Sequence, residues 1–195
     1  IFTVTFPAAP DEPITVAMPT DTENALFAGG SNYGNWVAVL EKAYGVYVNR
    51  SRWSKSDLPQ DSLDGGSSTN AGLKILSSAG VKEVNPSKLS TQEIKELVAT
   101  KLEEGKPMTI SANNTTMSIF GLDLKNETET LKLNRGHAYS IIGIDTTTNT
   151  VIIRNPWGNG EPEINGSARD GDNDGIFQLS IDELKKDFNG LAYAK

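Results

Sequence analysis

The side chains best suited to chemistry in this chain are one histidine and one asparagine, His137 and Asn155, which lie 18 residues apart. Histidine is the residue type whose ordinary pKa suits proton transfer near neutral pH, and His137 is the only one among the 195 residues. An asparagine amide can orient such an imidazole, and the pair can then activate a nucleophile. The nucleophile that completes a Cys-His-Asn site is a thiolate, and the chain has no cysteine. The sequence therefore predicts part of a hydrolytic site.

Two apolar, β-branched segments separated by a polar turn predict the element that positions this pair. Residues 138–144 and 150–154 form the predicted strands of a hairpin, and residues 145–149 form its connection. The midpoint between His137 and Asn155 falls inside that connection, so antiparallel pairing places them opposite each other or within a residue or two. Directly opposed residues have Cβ atoms about 5 Å apart, which allows a hydrogen bond. A structural histidine at the start of a strand is the alternative interpretation.

The two motifs resemble those of the calpain family of papain-like cysteine endopeptidases. Arg-Gly-His-Ala-Tyr-Ser at 135–140 and Ile-Arg-Asn-Pro-Trp-Gly-Asn-Gly-Glu at 153–161 are similar to the segments that carry the family's catalytic histidine and asparagine. The resemblance covers nearly the whole chain. It includes a strand at 14–20, a helix at 36–44, a Gly-Gly-containing loop at 65–72 and a closing strand at 174–180.

This resemblance implies roles for three residues and a separate source of the nucleophile. His137 would act as general base and acid, Asn155 would orient it, and Trp157 would shield the pair as an aromatic wall. In the family, the catalytic cysteine lies in a preceding, mostly helical subdomain, so this chain would be the second subdomain of the core and inactive alone. A polypeptide substrate would lie between it and a Cys-bearing N-terminal subdomain supplied in cis or in trans. Because the chain starts at Ile1 within a predicted strand, we expect a trimmed or processed chain.

Composition and charge argue against several kinds of partner. The content of 37% hydrophobic and 22% charged residues is typical of a globular protein, and we expect a single domain over residues 1–195. The net charge of −7 argues against nucleic acid and anionic membrane, which are bound through lysine and arginine. No apolar run approaches the roughly 18 residues of a membrane span. The absence of cysteine excludes disulfides and thiolate metal sites, and it leaves the localisation open.

Local patterns predict an α+β fold in which helices flank an antiparallel sheet of about six strands, like the second half of a papain-like or calpain catalytic core. The predicted strands lie at residues 2–6, 14–16, 107–111, 138–144 and 150–154, and the family resemblance implies a further strand at 174–180. A proline-bounded turn at 7–13 is expected to join the first two strands.

Helix signals are strongest at two capping boxes, Ser90–Glu93 and Ser180–Glu183. Another helix is expected after Asn35, with Trp36, Val39, Leu40 and Ala43 buried at three- and four-residue spacing. A short helix is expected from Thr69, through Leu73 and Leu76, to a stop at Gly80. Residues 51–68 predict a long loop bordering the substrate cleft.

An acidic segment near the C-terminus has two interpretations, a calcium site or a solvated acidic turn. Asp170, Asp172 and Asp174 are spaced two apart and precede Gly175, which is the opening pattern of a calcium loop. The twelfth position is Ile181, where an EF-hand has glutamate, so the pattern argues against an EF-hand.

The family resemblance adds a specific ligand set to the calcium interpretation. It implies Glu161 and Asp174 as calcium ligands, because they match acidic positions after the Asn-Pro-Trp-Gly motif and before the closing strand. Ile176 stands where the family usually has a second acid, and Asp170 and Asp172 could compensate for it.

Two functions therefore stay open at this level. The first is a calpain-like, calcium-dependent cysteine endopeptidase, with this chain supplying the histidine and asparagine of the triad. The alternative is a non-catalytic pseudoprotease, or a regulatory module that binds calcium or peptide. A cysteine-bearing segment upstream of Ile1 would favour the enzyme, and a serine or glycine at the cysteine position would favour the module.

Overall fold

The computed structural model describes residues 1–26, 35–51, 63, 68, 70–113, 118–119, 122–123, 128 and 130–195. Most of the predicted loop at 51–68 and Thr69, the expected start of a short helix, lie outside these residues. The chain forms two compact units, Ile1–Ser68 and Thr69–Lys195. The expectation of a single domain stays a prediction.

In the first unit, the residues that the structure describes form a β-hairpin followed by two helices. Their bounds are β1 (Phe2–Phe6), β2 (Ala9–Val16), α1 (Asp21–Leu26) and α2 (Trp36–Ser51). β2 begins at Ala9, so the predicted turn at 7–13 is wrong and the connection is only residues 7–8. Pro10 and Pro13 fit inside β2 because it is an edge strand of a two-stranded sheet, where outward N–H groups need no partner.

Helix α2 follows Asn35 as predicted. Fewer of its residues are buried than the three- and four-residue spacing predicted. Val39 and Ala43 are buried, whereas Trp36 is 57% exposed, so its assignment to the core is wrong. Trp36 is the first helical residue, and it lines an open apolar cavity of about 640 Å³ together with Phe2 and Met18.

The described residues of the second unit form three helices and the remaining strands. The helices are α3 (Asn70–Leu76), α4 (Thr91–Glu103) and α5 (Ile181–Asp187), with a 3-10 turn at Pro86–Lys88. The strands are β3 (Val81–Val84), β4 (Met108–Ala112), β5 (Ser118–Ile119), β6 (Leu122–Asp123), β7 (Ala138–Asp145), β8 (Thr150–Arg154), β9 (Glu163–Ile164), β10 (Ser167–Ala168), β11 (Ile176–Ser180) and β12 (Phe188–Ala194).

Six of these strands form one antiparallel sheet in the order β11-β8-β7-β4-β12-β3. The predicted α+β class with a six-stranded antiparallel sheet and helices is confirmed. The membership of the sheet differs from the prediction, because β1 and β2 form a separate pair. Their places are taken by β3 and β12, which the sequence did not predict.

Both predicted capping boxes are present and fix the starts of α4 and α5. In α4, Ile94 and Val98 are buried in the main core together with Tyr139 and Phe177 from the sheet and Leu184 from α5. Short helix α3 begins at Asn70 and buries Leu73, whereas Leu76 is 51% exposed. Within the described parts of the chain, no helix is long and apolar enough to span a membrane.

The β7–β8 hairpin contains a bulge that determines which side chains face the core. Ile141 pairs with Ile153, and Gly143 pairs with Ile152, so Ile142 is an extra residue in β7. Tyr139 and Ile141 pack on the core before the bulge, and Ile144 packs on it after the bulge. Gly143 suits this position because a Cβ there would lie 2.8 Å from the Cδ1 atom of Ile152.

Candidate active site

The ends of β7 and β8 bring His137 and Asn155 together. His137 directly precedes β7 and Asn155 directly follows β8, at the same end of the hairpin. The imidazole Nε2 of His137 lies 2.9 Å from the amide Oδ1 of Asn155. The predicted proximity of the two side chains is therefore confirmed. Ser140 pairs with Arg154, so continued pairing would place Asn155 opposite Tyr139, two residues from His137 and within the predicted range.

The amide of Asn155 is held in one orientation by its neighbours. Its side chain is 1% exposed, and Nδ2 donates to the carbonyl oxygens of Asn159 at 2.6 Å and Gly160 at 3.1 Å. Both amide hydrogens are thus used, and Oδ1 faces His137 while it also accepts the Trp157 N–H at 3.1 Å. This network assigns the amide oxygen to the side of the imidazole.

The same network assigns the tautomer of the neutral imidazole. Because Asn155 Oδ1 can only accept, Nε2 of His137 must carry the hydrogen. The other ring nitrogen, Nδ1, is then the unprotonated one that can take a proton. The site therefore contains an oriented base.

Two aromatic rings pack against His137 from different sides. The Trp157 ring lies 4.0 Å from the imidazole, centroid to centroid, with the planes tilted by 36°. Tyr139 contacts the imidazole edge-on at 4.8 Å and 86°. Trp157 is 58% exposed, so one side of its ring covers the histidine–asparagine pair and the other faces solvent. Tyr139 is buried, and burial raises the pKa of its hydroxyl to about 12, so the hydroxyl stays protonated.

Sequence reasoning missed Tyr139 and Gly175 as parts of this site. Tyr139 lies two residues after His137 and so shares its face of β7, which is a signal the sequence carries. Gly175 accepts the backbone N–H of Asn155 at 2.7 Å and has a φ of +81°. A Cβ at Gly175 would lie 2.9 Å from backbone atoms of Gly158 and Asn159, so only glycine permits this close approach.

Glu161 connects the acidic segment to this glycine. Its Oε1 accepts the N–H of Gly175 at 2.7 Å, whereas its Oε2 is buried and has no hydrogen-bond partner. Burial raises the pKa of Glu161, and the negative charges of Asp170 and Asp174 contribute to the rise. Such an atom is a position where a cation would be favourable.

The three aspartates of the segment are exposed, and two of them bind backbone groups of their own turn. Asp170 Oδ1 accepts the N–H of Asp172 at 3.1 Å, and Asp174 Oδ1 accepts the N–H of Ile176 at 2.8 Å. In the part of the chain that the structure describes, no three carboxylate or histidine side chains converge as a metal-binding group. The structure thus places Asp170 and Asp174 within electrostatic range of Glu161 without assembling a ligand set, and the calcium site stays a prediction.

Comparisons with known proteins identify the family of the chain. No curated protein sequence matches the chain significantly. Among solved structures, the chain is similar to PepW from Lactobacillus rhamnosis HN001, with 17% sequence identity and a TM-score of 0.33. The alignment covers 55% of this chain and 27% of that one, so the matched part spans about a quarter of the other protein. A model of the calpain family of cysteine proteases matches residues 10–174, which include both hairpin motifs and most of the chain. The chain therefore belongs to the calpain family of cysteine proteases.

Proposed function

We propose that this chain supplies the histidine and asparagine of a Cys-His-Asn triad in a calpain-like cysteine endopeptidase. The observation that carries the proposal is the 2.9 Å contact between His137 Nε2 and Asn155 Oδ1, with the amide orientation fixed by two carbonyl oxygens. A polypeptide substrate would lie between this chain and a Cys-bearing N-terminal subdomain, supplied in cis or in trans. Membership of a cysteine protease family supports this substrate class.

In the proposed reaction, His137 acts first as a general base and then as a general acid. Nδ1 takes the proton of the thiol, and the resulting imidazolium is stabilised beside the thiolate. The thiolate attacks the substrate carbonyl carbon to form a thioester, and the imidazolium gives its proton to the leaving amine as the peptide bond breaks. Water then hydrolyses the thioester and regenerates the thiol. Asn155 Oδ1 accepts from Nε2 throughout, so the ring keeps its orientation while Nδ1 changes protonation state.

Trp157 is the proposed cover of the histidine–asparagine pair. Its ring lies directly against the imidazole, and its backbone N–H shares the Asn155 oxygen with Nε2. An aromatic ring over this hydrogen bond limits access of water, which otherwise competes for both partners. The large exposed fraction of the indole also makes it a wall for a bound peptide.

A second proposal is that the acidic segment binds Ca²⁺ through Glu161, Asp170, Asp172 and Asp174. The unpartnered, buried Oε2 of Glu161 favours it, since a buried carboxylate oxygen lacking a hydrogen bond is destabilising and a cation would satisfy it. Oxygen donors of this type match the preference of Ca²⁺, which accepts six to eight oxygens in flexible geometry. Bound calcium would neutralise mutual repulsion among these carboxylates.

The main test separates the endopeptidase from a non-catalytic module. The 195-residue chain alone is expected to cleave no peptide, because it has no cysteine for His137 to activate. The same chain joined to, or mixed with, a Cys-bearing subdomain is expected to cleave peptides and to react with thiol-directed probes. Peptide hydrolysis by the pure chain alone would contradict the triad assignment. Peptide binding without hydrolysis in the reconstituted protein would favour the pseudoprotease or regulatory module.

A further inference from the structure

Asp187 is a buried carboxylate that the proposed reaction does not use. It is the last residue of α5 and is 1% exposed. Its oxygens accept the backbone N–H of Thr130 at 3.1 and 3.2 Å and that of Leu131 at 2.6 Å. None of the ion pairs formed by the described residues involves Asp187. Two successive backbone amides that converge on one anion form a nest, and here they bind an internal carboxylate.

The segment that Asp187 binds is a tight turn packed into the core. The N–H of Thr128 donates to the carbonyl oxygen of Leu133 at 2.7 Å, and the N–H of Leu133 donates to Thr128 Oγ1 at 3.1 Å. Leu131 and Leu133 are buried, and Lys132 between them has a φ of +57°. The amides of residues 130 and 131 point out of this turn, and Asp187 satisfies both.

Two routes connect Asp187 to the backbone of His137. The turn leads to Asn134, whose carbonyl oxygen accepts the N–H of His137 at 3.4 Å. On the second route, the carbonyl oxygen of Asp187 accepts the N–H of Asn113 at 2.7 Å. The preceding residue, Ala112, donates its N–H to the carbonyl oxygen of His137 at 2.9 Å. One residue thus ties the end of α5, the end of β4 and the segment before His137 together.

We propose that Asp187 is a positioning residue that holds the backbone of His137 where Nε2 can reach Asn155 Oδ1. The inference rests on the proposed function, because it assigns Asp187 a part in orienting the catalytic base. The carboxylate suits this task because one anion can accept from two amides at once, which fixes their relative position. An amide in its place would offer a single accepting oxygen and would direct an NH₂ group at a backbone donor.

The single histidine of the chain provides a direct readout. The variant Asp187→Asn keeps the shape of the side chain and removes its charge. In ¹⁵N-imidazole NMR spectra of the wild-type chain, we expect His137 to show one neutral tautomer, with the hydrogen on Nε2. In Asp187→Asn we expect a mixture of both tautomers, and amide hydrogens of Thr130 and Leu131 that exchange about tenfold faster or more.

A control variant separates positioning from general loss of stability. Leu184→Ala removes a fully buried side chain from the same helix, and this side chain takes part in none of the hydrogen bonds of Thr128, Thr130 and Leu131 described above. We expect it to destabilise the chain while His137 keeps a single tautomer. If Asp187→Asn does not fold, Thr128→Val is the second variant. It removes the hydroxyl that accepts the N–H of Leu133 and so loosens the same turn. We expect it, too, to give a mixture of both His137 tautomers.

The outcomes distinguish failure of this inference from failure of the proposed function. A wild-type chain in which His137 shows no tautomer preference would contradict the catalytic pair itself, and the positioning role with it. A wild-type chain with one tautomer that Asp187→Asn leaves unchanged would overturn only the role of Asp187. An equal shift in Leu184→Ala would also overturn it, because the effect would then follow from lost stability.

Discussion

The backbone N–H of Asn155 donates to the carbonyl oxygen of Gly175 at 2.7 Å, across two segments that are 20 residues apart in the sequence. The same glycine donates its own N–H to Glu161 and packs against the backbone at Gly158. Gly175 therefore joins the asparagine of the proposed triad to the acidic segment. A change at this position is expected to act on both.

Gly175→Ala tests this close approach. The added Cβ would contact backbone atoms at 2.9 Å and would force alanine into a φ of +81°, so we expect a loss of about 2 to 5 kcal/mol in unfolding free energy. Gly171→Ala is the matched control, because Gly171 has a φ of +95° and a Cβ added there would have no other atom within 4 Å. We expect it to lose only about 1 to 2 kcal/mol. Equal losses in urea denaturation of the two variants would show that the packing at Gly175 is unimportant.

His137→Ala and Asn155→Ala should differ in the size of their effect on the reconstituted enzyme. Loss of the general base is expected to lower kcat/KM by at least about 10² to 10⁴-fold. Asn155→Ala should reduce it less, because asparagine orients the ring and transfers no proton. Thr146→Ala, in the exposed turn of the hairpin, serves as the control and should retain activity. Full activity of His137→Ala would refute its assignment as the base.

Glu161→Gln tests the effect of burial on this carboxylate. Because the folded-state pKa is raised, its contribution to stability is fully present below the ordinary glutamate pKa of about 4.3 and is lost as the pH rises through the raised value. In chelator-treated protein, Glu161→Gln should therefore gain stability relative to wild type between about pH 4 and pH 7. Exposed Glu163 provides the control variant, Glu163→Gln, for which we expect little change. A difference between Glu161→Gln and wild type that does not vary with pH would argue against this account.

Calcium is expected to raise the thermal midpoint if the acidic segment binds it. At a hundredfold excess over the dissociation constant, mass action gives about 2.7 kcal/mol of added stability. Magnesium should have much less effect, since it requires octahedral geometry and loses water reluctantly. The double variant Asp172→Ala, Asp174→Ala should lose the response and keep its fold, because both side chains are exposed. If titration calorimetry detects no heat of binding up to millimolar calcium, the acidic segment is a solvated turn and not a calcium site.

Local signals in the sequence predicted the elements around the site well. The capping boxes at Ser90 and Ser180 involve atoms three residues apart, so their residue types are enough to locate the helix starts. The β7–β8 hairpin is also local, and its polar turn predicted the proximity of His137 and Asn155 to within the two residues that the observed register allows.

Contacts between distant segments were not predictable in the same way. β12 begins directly after α5 and contains Asn189 and Gly190, which are typical of turns, yet it lies between β4 and β3 in the sheet. Its strand character comes from pairing on both sides, which overrides local propensity. The contacts of Gly175 with Asn155 and of Asp187 with Leu131 join segments 20 and 56 residues apart, and no local pattern identifies them.

The bulge at Ile142 limits where the hairpin can change length during evolution. Side chains alternate between the two faces of a strand, so deletion of one residue between the bulge and His137 would turn the imidazole to the opposite face. Insertions or deletions within residues 146–148 alter only the exposed part of the connection beyond the last pair, Asp145 with Thr150. Length variation among homologues with a functional histidine should therefore be concentrated in that connection, and the segment from 137 to 143 should keep a constant length.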